Sequence, residues 1–212
     1  RKFYLTTPIY YVNDRPHIGH AYTTIAADTL ARFKRLQGFD VIFATGTDDN
    51  SEKNAISAKK QNMATREYVD QMSAVWQRTW DSMGLSVDRF IRTTEDRHIK
   101  AVNAFWKLVE AKGDIYRATY NGLYCVGCEA YVGEGDLVNG KCPLHNVEPQ
   151  KLSEENYFFK LSAYKEKLLA HIAAHPTFIQ PESRRNEVVS YITNHLADMS
   201  ISRKGRDWGI PV

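Results

Sequence analysis

Between Lys2 and Gly113 short β-prone runs alternate with stretches of helical length, and that alternation leaves few folds open. Lys2 to Thr7 alternates apolar and polar residues, as a half-buried strand does. A loop over Pro8 to Pro16 leads into a helix from about Gly19 to Leu36, whose apolar Ala21, Ile25, Leu30 and Phe33 recur near helical spacing and which Gly38 stops. Asp40 to Ala44 is a second β-rich run, ending at Gly46. A helix over about Thr65 to Met83, a strand over Arg89 to Arg92 and a helix over about Glu95 to Lys112 continue the rhythm. Strands separated by helices of this length predict an α/β fold with a parallel, doubly wound, Rossmann-like sheet. After Ile115 the rhythm changes. Tyr116 to Cys125 reads as a strand, Cys125 to His145 is Gly-rich and short of apolar anchors, and Asn156 to Phe159 reads as a returning strand. Helices near Ser162–His175 and Glu182–Leu196 follow. The expected boundary therefore separates an α/β domain over 1–115 from a small α+β domain over 116–212.

Composition excludes more than it assigns. With 43% hydrophobic and 25% charged residues the chain is ordinary for a globular protein, and no apolar run approaches the ~20 residues of a membrane span. Its start, Arg1 to Leu5, turns polar at Thr6-Thr7, which suits a strand and not a signal peptide. It lacks an initiator Met, so a trimmed or truncated chain is expected. A net charge of +3 permits contact with a polyanion without demanding it. Three cysteines crowded into one stretch are not a secreted disulfide framework, which predicts a reducing, cytoplasmic setting.

The richest stretch is Pro8-Ile9-Tyr10-Tyr11-Val12-Asn13-Asp14-Arg15-Pro16-His17-Ile18-Gly19-His20. A strand ends, a loop follows, and two histidines flank a glycine where a helix begins. Open α/β sheets place ligands there, and the first turn of a helix offers unpaired N–H groups and positive dipole to a phosphate. His17 and His20, three apart, share one side of that turn, and Gly19 lets a base or ribose approach the backbone. Two surface histidines near a turn are the plain alternative; their position after the first strand argues against it.

The stretch resembles the His-Ile-Gly-His signature of the class I aminoacyl-tRNA synthetases, and Pro8-Ile9-Tyr10-Tyr11-Val12-Asn13 looks like the methionyl branch. Thr45-Gly46-Thr47-Asp48-Asp49, Phe90-Ile91-Arg92-Thr93-Thr94, Gly113-Asp114-Ile115-Tyr116, Ser153 to Phe159 and Ser200-Ile201-Ser202-Arg203 extend the resemblance over nearly the whole chain. It implies that 1–115 is the N-terminal half of the catalytic nucleotide-binding fold and 116–212 an inserted connective domain. It also implies methionine activation by ATP with Mg2+, then transfer to tRNA(Met), with His17 and His20 as donors to the charge that grows on the phosphate. By the same resemblance Asp49 holds the substrate ammonium while Ile9 and Tyr11 line the methionine side-chain pocket. Chemically, a carboxylate beside a cation gives a charge-assisted hydrogen bond, and a thioether suits an apolar wall with an aromatic edge. Asp49 has a rival role as cap of the following helix, and core packing is the rival for Ile9. Where many members carry Glu-His-Gly, this chain has Asp49-Asn50-Ser51, so no role for that histidine carries over.

Cys125-Val126-Gly127-Cys128 and Cys142-Pro143-Leu144-His145 form a C-x2-C and C-x2-H pair separated by thirteen residues. Four N/S ligands in two tight turns read as a closed, tetrahedral and therefore structural zinc site. All three cysteines fall inside it. His98, His171, His175 and His195 have no ligand spacing, while Trp76, Trp80, Phe105 and Trp106 read as helix core. Lys34-Arg35 and Arg184-Arg185 read as solvated faces. The rivals are a leucyl, isoleucyl or valyl relative, for whose editing insertion 116–212 leaves no room, a nucleotidyltransferase sharing H-x-G-H, and a zinc-stabilised nucleic-acid-binding module. The resemblance also implies a later Lys-Met-Ser-Lys-Ser loop. Its nearest likeness, Ser202-Arg203-Lys204-Gly205, lacks that pattern, so the chain alone is expected to be inactive and to need the remainder of its polypeptide.

Overall fold

The computed structural model describes every residue except 129 and 204–206. Lys204 and Gly205 of the basic run named above therefore lie outside the described residues. In chain order the elements are β1 (Lys2–Tyr11), α1 (Ile18–Leu36), β2 (Asp40–Asp48), α2 (Glu52–Lys60), α3 (Thr65–Ser82), β3 (Arg89–Arg92), α4 (Asp96–Ala111), β4 (Ile115–Cys125), β5 (Ala130–Val132), β6 (Gln150–Phe159), α5 (Lys165–Ala174), α6 (Glu182–His195) and β7 (Met199–Ser200). The first three strands form a parallel sheet in the order β1-β2-β3. The second sheet has the order β5-β4-β6-β7, with β5 antiparallel to β4 and β7 antiparallel to β6.

Two expectations change. β1 continues past Pro8 to Tyr11, because the register with β2 shifts between Thr6 and Ile9 and that irregularity absorbs a residue with no N–H to give. α1 does not bury the stripe of Ile25, Leu30 and Phe33, which are 43%, 38% and 52% exposed. It buries Thr24, Asp28 and Ala31 instead. Thr24 meets the Tyr10 hydroxyl at 2.9 Å, and Asp28 accepts the Ser86 N–H at 2.7 Å and the Arg32 Nε–H at 2.7 Å. Burial alone would raise the Asp28 carboxyl pKa, but these Ser86 and Arg32 bonds outweigh it and hold the group below its ordinary value.

The chain divides into two compact units. One comprises Arg1–Asn103, Leu123–Gln150 and Asp207–Val212, the other Ala104–Gly122 and Lys151–Arg206. This differs from a single cut after residue 115, since the Cys-rich segment belongs with the first unit. That unit holds two apolar cores. Ala31, Val41 and Phe43 pack with Phe3, Leu5 and Ala27, beneath α1. Tyr10, Val12, Ala58, Tyr68, Val69, Trp76 and Trp80 form the other, joining the end of β1 to α2 and α3. Trp76 and Trp80 are core as expected; Phe105, on α4, is not, being 68% exposed. The opposite faces of Phe3 and Val41 belong to Tyr4 and Ile42, register partners that stay 69% and 47% exposed.

Candidate functional site

α1 begins with its first turn capped by imidazoles. His17 is the N-cap, in extended backbone, and its Nδ1 accepts the Gly19 N–H at 3.1 Å. His20 Nδ1 in turn accepts the His17 N–H at 3.2 Å. This is the reciprocal arrangement that Ser or Thr with Glu or Gln usually makes, built here from two rings 3.7 Å apart in a stack. An Nδ1 that accepts a hydrogen bond carries no proton, which leaves Nε2 to carry the N–H of each ring. Burial first, and repulsion between two imidazoliums so close together second, lower the His20 pKa and favour its neutral form. A Cβ on Gly19 would stand 3.0 Å from His17 Cε1, so glycine here keeps room for the cap.

His20 is fixed from behind by Tyr10 and Trp76, with ring centroids at 5.0 and 4.7 Å. Tyr10 stacks on Trp76 at 5.1 Å and is tied to Thr24 through its hydroxyl. Sequence reasoning passed over Tyr10, whose only visible signal was its place between Ile9 and Tyr11, on the opposite face of β1.

Ile9 and Tyr11 sit on the other side of that strand, Ile9 42% exposed and Tyr11 half-buried under the Lys53 ammonium, 4.6 Å above its ring. In register, Ile9 faces Gly46 and Tyr11 faces Asp48. Gly46 is obligatory there: a Cβ would fall 2.0 Å from the Ile91 carbonyl oxygen of β3. The two aspartates that follow differ sharply. Asp48 is partly exposed at the end of β2. Asp49 is 0% exposed; its Oδ2 accepts the Arg92 Nε–H at 2.8 Å and the Thr94 hydroxyl at 2.6 Å. Its other oxygen, Oδ1, has no partner among the described residues.

Arg92 also reaches Asp70 at 2.6 Å, and Asp70 pairs with Arg66 at 3.0 Å. Burial works to lower the Arg92 pKa, but Asp70 and Asp49 outweigh it and raise it further. Nor does Asp49 cap α2, because Ser51 does, accepting the Lys53 N–H at 3.1 Å. Asn50 donates to the Thr93 carbonyl at 3.0 Å. Asn50 and Ser51, where the resemblance led one to look for His-Gly, thus hold the β2–α2 junction. Arg92 and Thr94 were quoted in the sequence only as part of a resembling block; their link to Asp49 joins residues more than forty positions apart.

Cys125, Cys128, Cys142 and His145 converge, with one ligand atom from each lying within 4.8 Å of all the others. Cys128 Sγ is 3.5 Å from Cys142 Sγ, and His145 Nδ1 is 3.9, 3.3 and 3.8 Å from the sulfurs of Cys125, Cys128 and Cys142. A tetrahedron with bonds of about 2.3 Å to sulfur and about 2.0 Å to nitrogen has edges of roughly 3.5–3.8 Å, close to the four separations of 3.3–3.9 Å just given. The Val126-Gly127 turn is packed so closely that a Cβ on Gly127 would sit 2.4 Å from His145 Cγ. With protein groups alone the thiols are at odds: burial and the neighbouring sulfurs push Cys128 up to about 12, while the His145 hydrogen bond draws Cys142 down to about 6. A divalent cation would let all three ionise together.

Comparison with known proteins shows the family of the chain. The family described as tRNA synthetases class I (M) matches residues 3–151 and 134–212. A methionine–tRNA ligase of Caldanaerobacter subterraneus is 48% identical over 212 residues, 100% of this chain and 33% of that protein. A chloroplastic/mitochondrial methionine–tRNA ligase of Arabidopsis thaliana is 50% identical over 99% of this chain and 34% of its own length. The chain thus spans about a third of these relatives. The crystal structure of Mycobacterium tuberculosis methionyl-tRNA synthetase bound by methionyl-adenylate superposes with a TM-score of 0.95 at 44% identity, over 100% of this chain and 43% of that one. A leucyl-tRNA synthetase of Agrobacterium radiobacter, 20% identical with a TM-score of 0.75, shares the fold. On the match of the family pattern to both halves of its sequence, the chain belongs to the class I (M) family of tRNA synthetases.

Proposed function

We propose that this chain supplies the ATP- and methionine-binding part of an enzyme that makes methionyl-adenylate and charges tRNA(Met), acting within a longer polypeptide. The observation that carries the reading is the pair of imidazoles at the head of α1, each accepting a backbone N–H through Nδ1 and so keeping Nε2–H as its donor. In adenylation a methionine carboxylate oxygen attacks the α-phosphorus of ATP, a P–O bond breaks, and pyrophosphate leaves. Charge builds on phosphate oxygens, and fixed neutral N–H donors with a helix N-terminus behind them stabilise it without moving a proton. Mg2+ would travel with ATP, and the cysteine and histidine cluster would hold a structural zinc. Three clustered thiols suit a reducing compartment such as the cytoplasm, and among the described residues no helix is long and apolar enough to cross a membrane.

For the amino-acid end we assign the substrate ammonium to Asp48 and not to Asp49. Asp49 is enclosed and its Oδ2 is committed to Arg92 and Thr94, so a ligand would have to open the interior to meet its remaining oxygen, Oδ1. Asp48 is partly exposed at the end of β2, the register partner of Tyr11 on β1, the strand that also carries Ile9. Methionine-dependent pyrophosphate exchange by the full-length polypeptide tests both statements. Asp48→Asn should raise the KM for methionine about 10–100-fold, the value of a charge-assisted bond. Asp49→Asn should lower stability by about 2–3 kcal/mol through the loss of Arg92 pairing, with a smaller change in KM. The reverse pattern returns the ammonium to Asp49, and no exchange with methionine at all ends the reading.

A further inference from the structure

Asp49 is held through its main chain as well as its carboxylate. Its N–H donates to Thr93 Oγ1 at 2.9 Å, and its carbonyl accepts from Asn54 Nδ2 at 3.0 Å, an amide that also donates to the Asp48 carbonyl at 2.8 Å. The Asp49 carbonyl accepts a second, shorter bond, 2.7 Å, from the indole Nε1–H of Trp208. Trp208 comes from Asp207–Val212, which belongs to the first compact unit, and it packs against the cluster of Tyr10, Val12, Ala58, Tyr68, Val69, Trp76 and Trp80. Tyr10 and Trp76 are the rings against which His20 rests.

We infer that Trp208 is a positioning residue for methionine, fixing the Asp48–Asp49 main chain through its indole N–H so that the Asp48 carboxylate meets the substrate ammonium. The inference rests on the assignment of Asp48 above. Packing alone would give the ring but needs no donor; a carbonyl that already accepts from Asn54 gains from a second donor mainly in directional constraint. A carbonyl with two lone pairs takes both bonds without conflict. The residues it restrains are the end of β2 and the turn into α2, where a displacement of Asp48 changes ligand geometry while the rest of the sheet stays paired.

The test uses the full-length polypeptide and separates ring from donor. Trp208→Phe keeps an aromatic ring on the cluster and removes only the N–H. The expected result is a KM for methionine raised about tenfold, the worth of one hydrogen bond, with kcat and the KM for ATP within about twofold. A KM for methionine that stays within twofold, while Asp48→Asn raises it, overturns the inference and leaves the site reading standing. If Asp48→Asn is itself without effect, the site reading fails first. A second measurement needs no variant: the Trp208 indole proton should exchange slowly in the wild-type protein and more slowly once methionine is added. Exchange at the rate of a free indole, with or without methionine, overturns the inference even should Trp208→Phe fail to fold.

Discussion

His20 and His145 are both engaged through Nδ1, yet what engages them differs. His20 accepts a backbone N–H, leans on Tyr10 and Trp76, and belongs to a junction whose every tie is an ordinary hydrogen bond or ring contact. His145 faces three sulfurs, none of which is a strong partner for an imidazole nitrogen. The first region is built by the protein and waits for a ligand; the second assembles donors whose mutual contact is weak until a cation lies between them. On the reading proposed above, rigidity at the histidine end comes from chain packing and rigidity at the cysteine end from coordination of the proposed zinc.

The strongest way to break that contrast is to remove metal. Chelation should abolish amide protection across Leu123–Gln150 while changing the first turn of α1 less than twofold, read by hydrogen exchange, because structural zinc supplies on the order of 10 kcal/mol to such knuckles. Retained protection in protein shown by metal analysis to be empty would mean that the knuckle, too, is self-supporting.

The histidine end should fail in function and not in fold. His20→Ala in the full-length enzyme is expected to slow adenylation about 10²–10³-fold, with methionine affinity nearly unchanged. A loss of methionine affinity as large as the loss of rate would show that the ring serves chiefly to shape the pocket.

A smaller effect sharpens the description of the knuckle. Gly127→Ala puts a methyl into the His145 ring and should weaken zinc binding about 10–100-fold in competition with a chelator, comparable with loss of an outer-shell contact. Unchanged affinity would show that the turn relaxes freely.

The smallest effect is in pH. Because the folded His20 pKa is lowered, the unfolded chain takes up the proton more readily. The stabilisation from its neutral ring is complete above the ordinary value of about 6.5 and declines as pH falls from there toward the folded pKa. In a nitrogen-detected titration His20 should change state below 6.5 and its proton should sit on Nε2 at neutral pH; an Nδ1–H ring would contradict the cap.

Local signals carried most of what was legible in the sequence. The alternation of strands and helices predicted β1 to β3, α1, α3 and α4, and the C-x2-C and C-x2-H pairs named the four residues that converge, because each pair is fixed within one turn. α2 entered only as a helix that Asp49 could cap, without bounds, since Glu52 to Lys60 buries Asn54 and Ala58 and has no apolar stripe to mark its extent. The face of α1 was misjudged for the converse reason: small and polar Thr24, Asp28 and Ala31 bring the helix close to the strands and satisfy Tyr10 and Ser86, while the larger apolar residues remain outside. The distinction between Asp48 and Asp49 depends on Arg92 and Thr94, and no local pattern points from one pair to the other.

The bond between Trp208 and Asp49 closes across 159 residues. On a ribosome adding about 5–20 residues each second, the tryptophan is made roughly ten to thirty seconds after the carbonyl it will hold. During that interval β1, β2 and β3 can pair and α2 and α3 can settle, leaving the Asp49 carbonyl with Asn54 as its side-chain partner. A nascent chain arrested before residue 208 should thus carry a sheet that is already formed and a proposed methionine end that is still loose, so that competence for the amino acid arrives only after most of the first unit has taken shape.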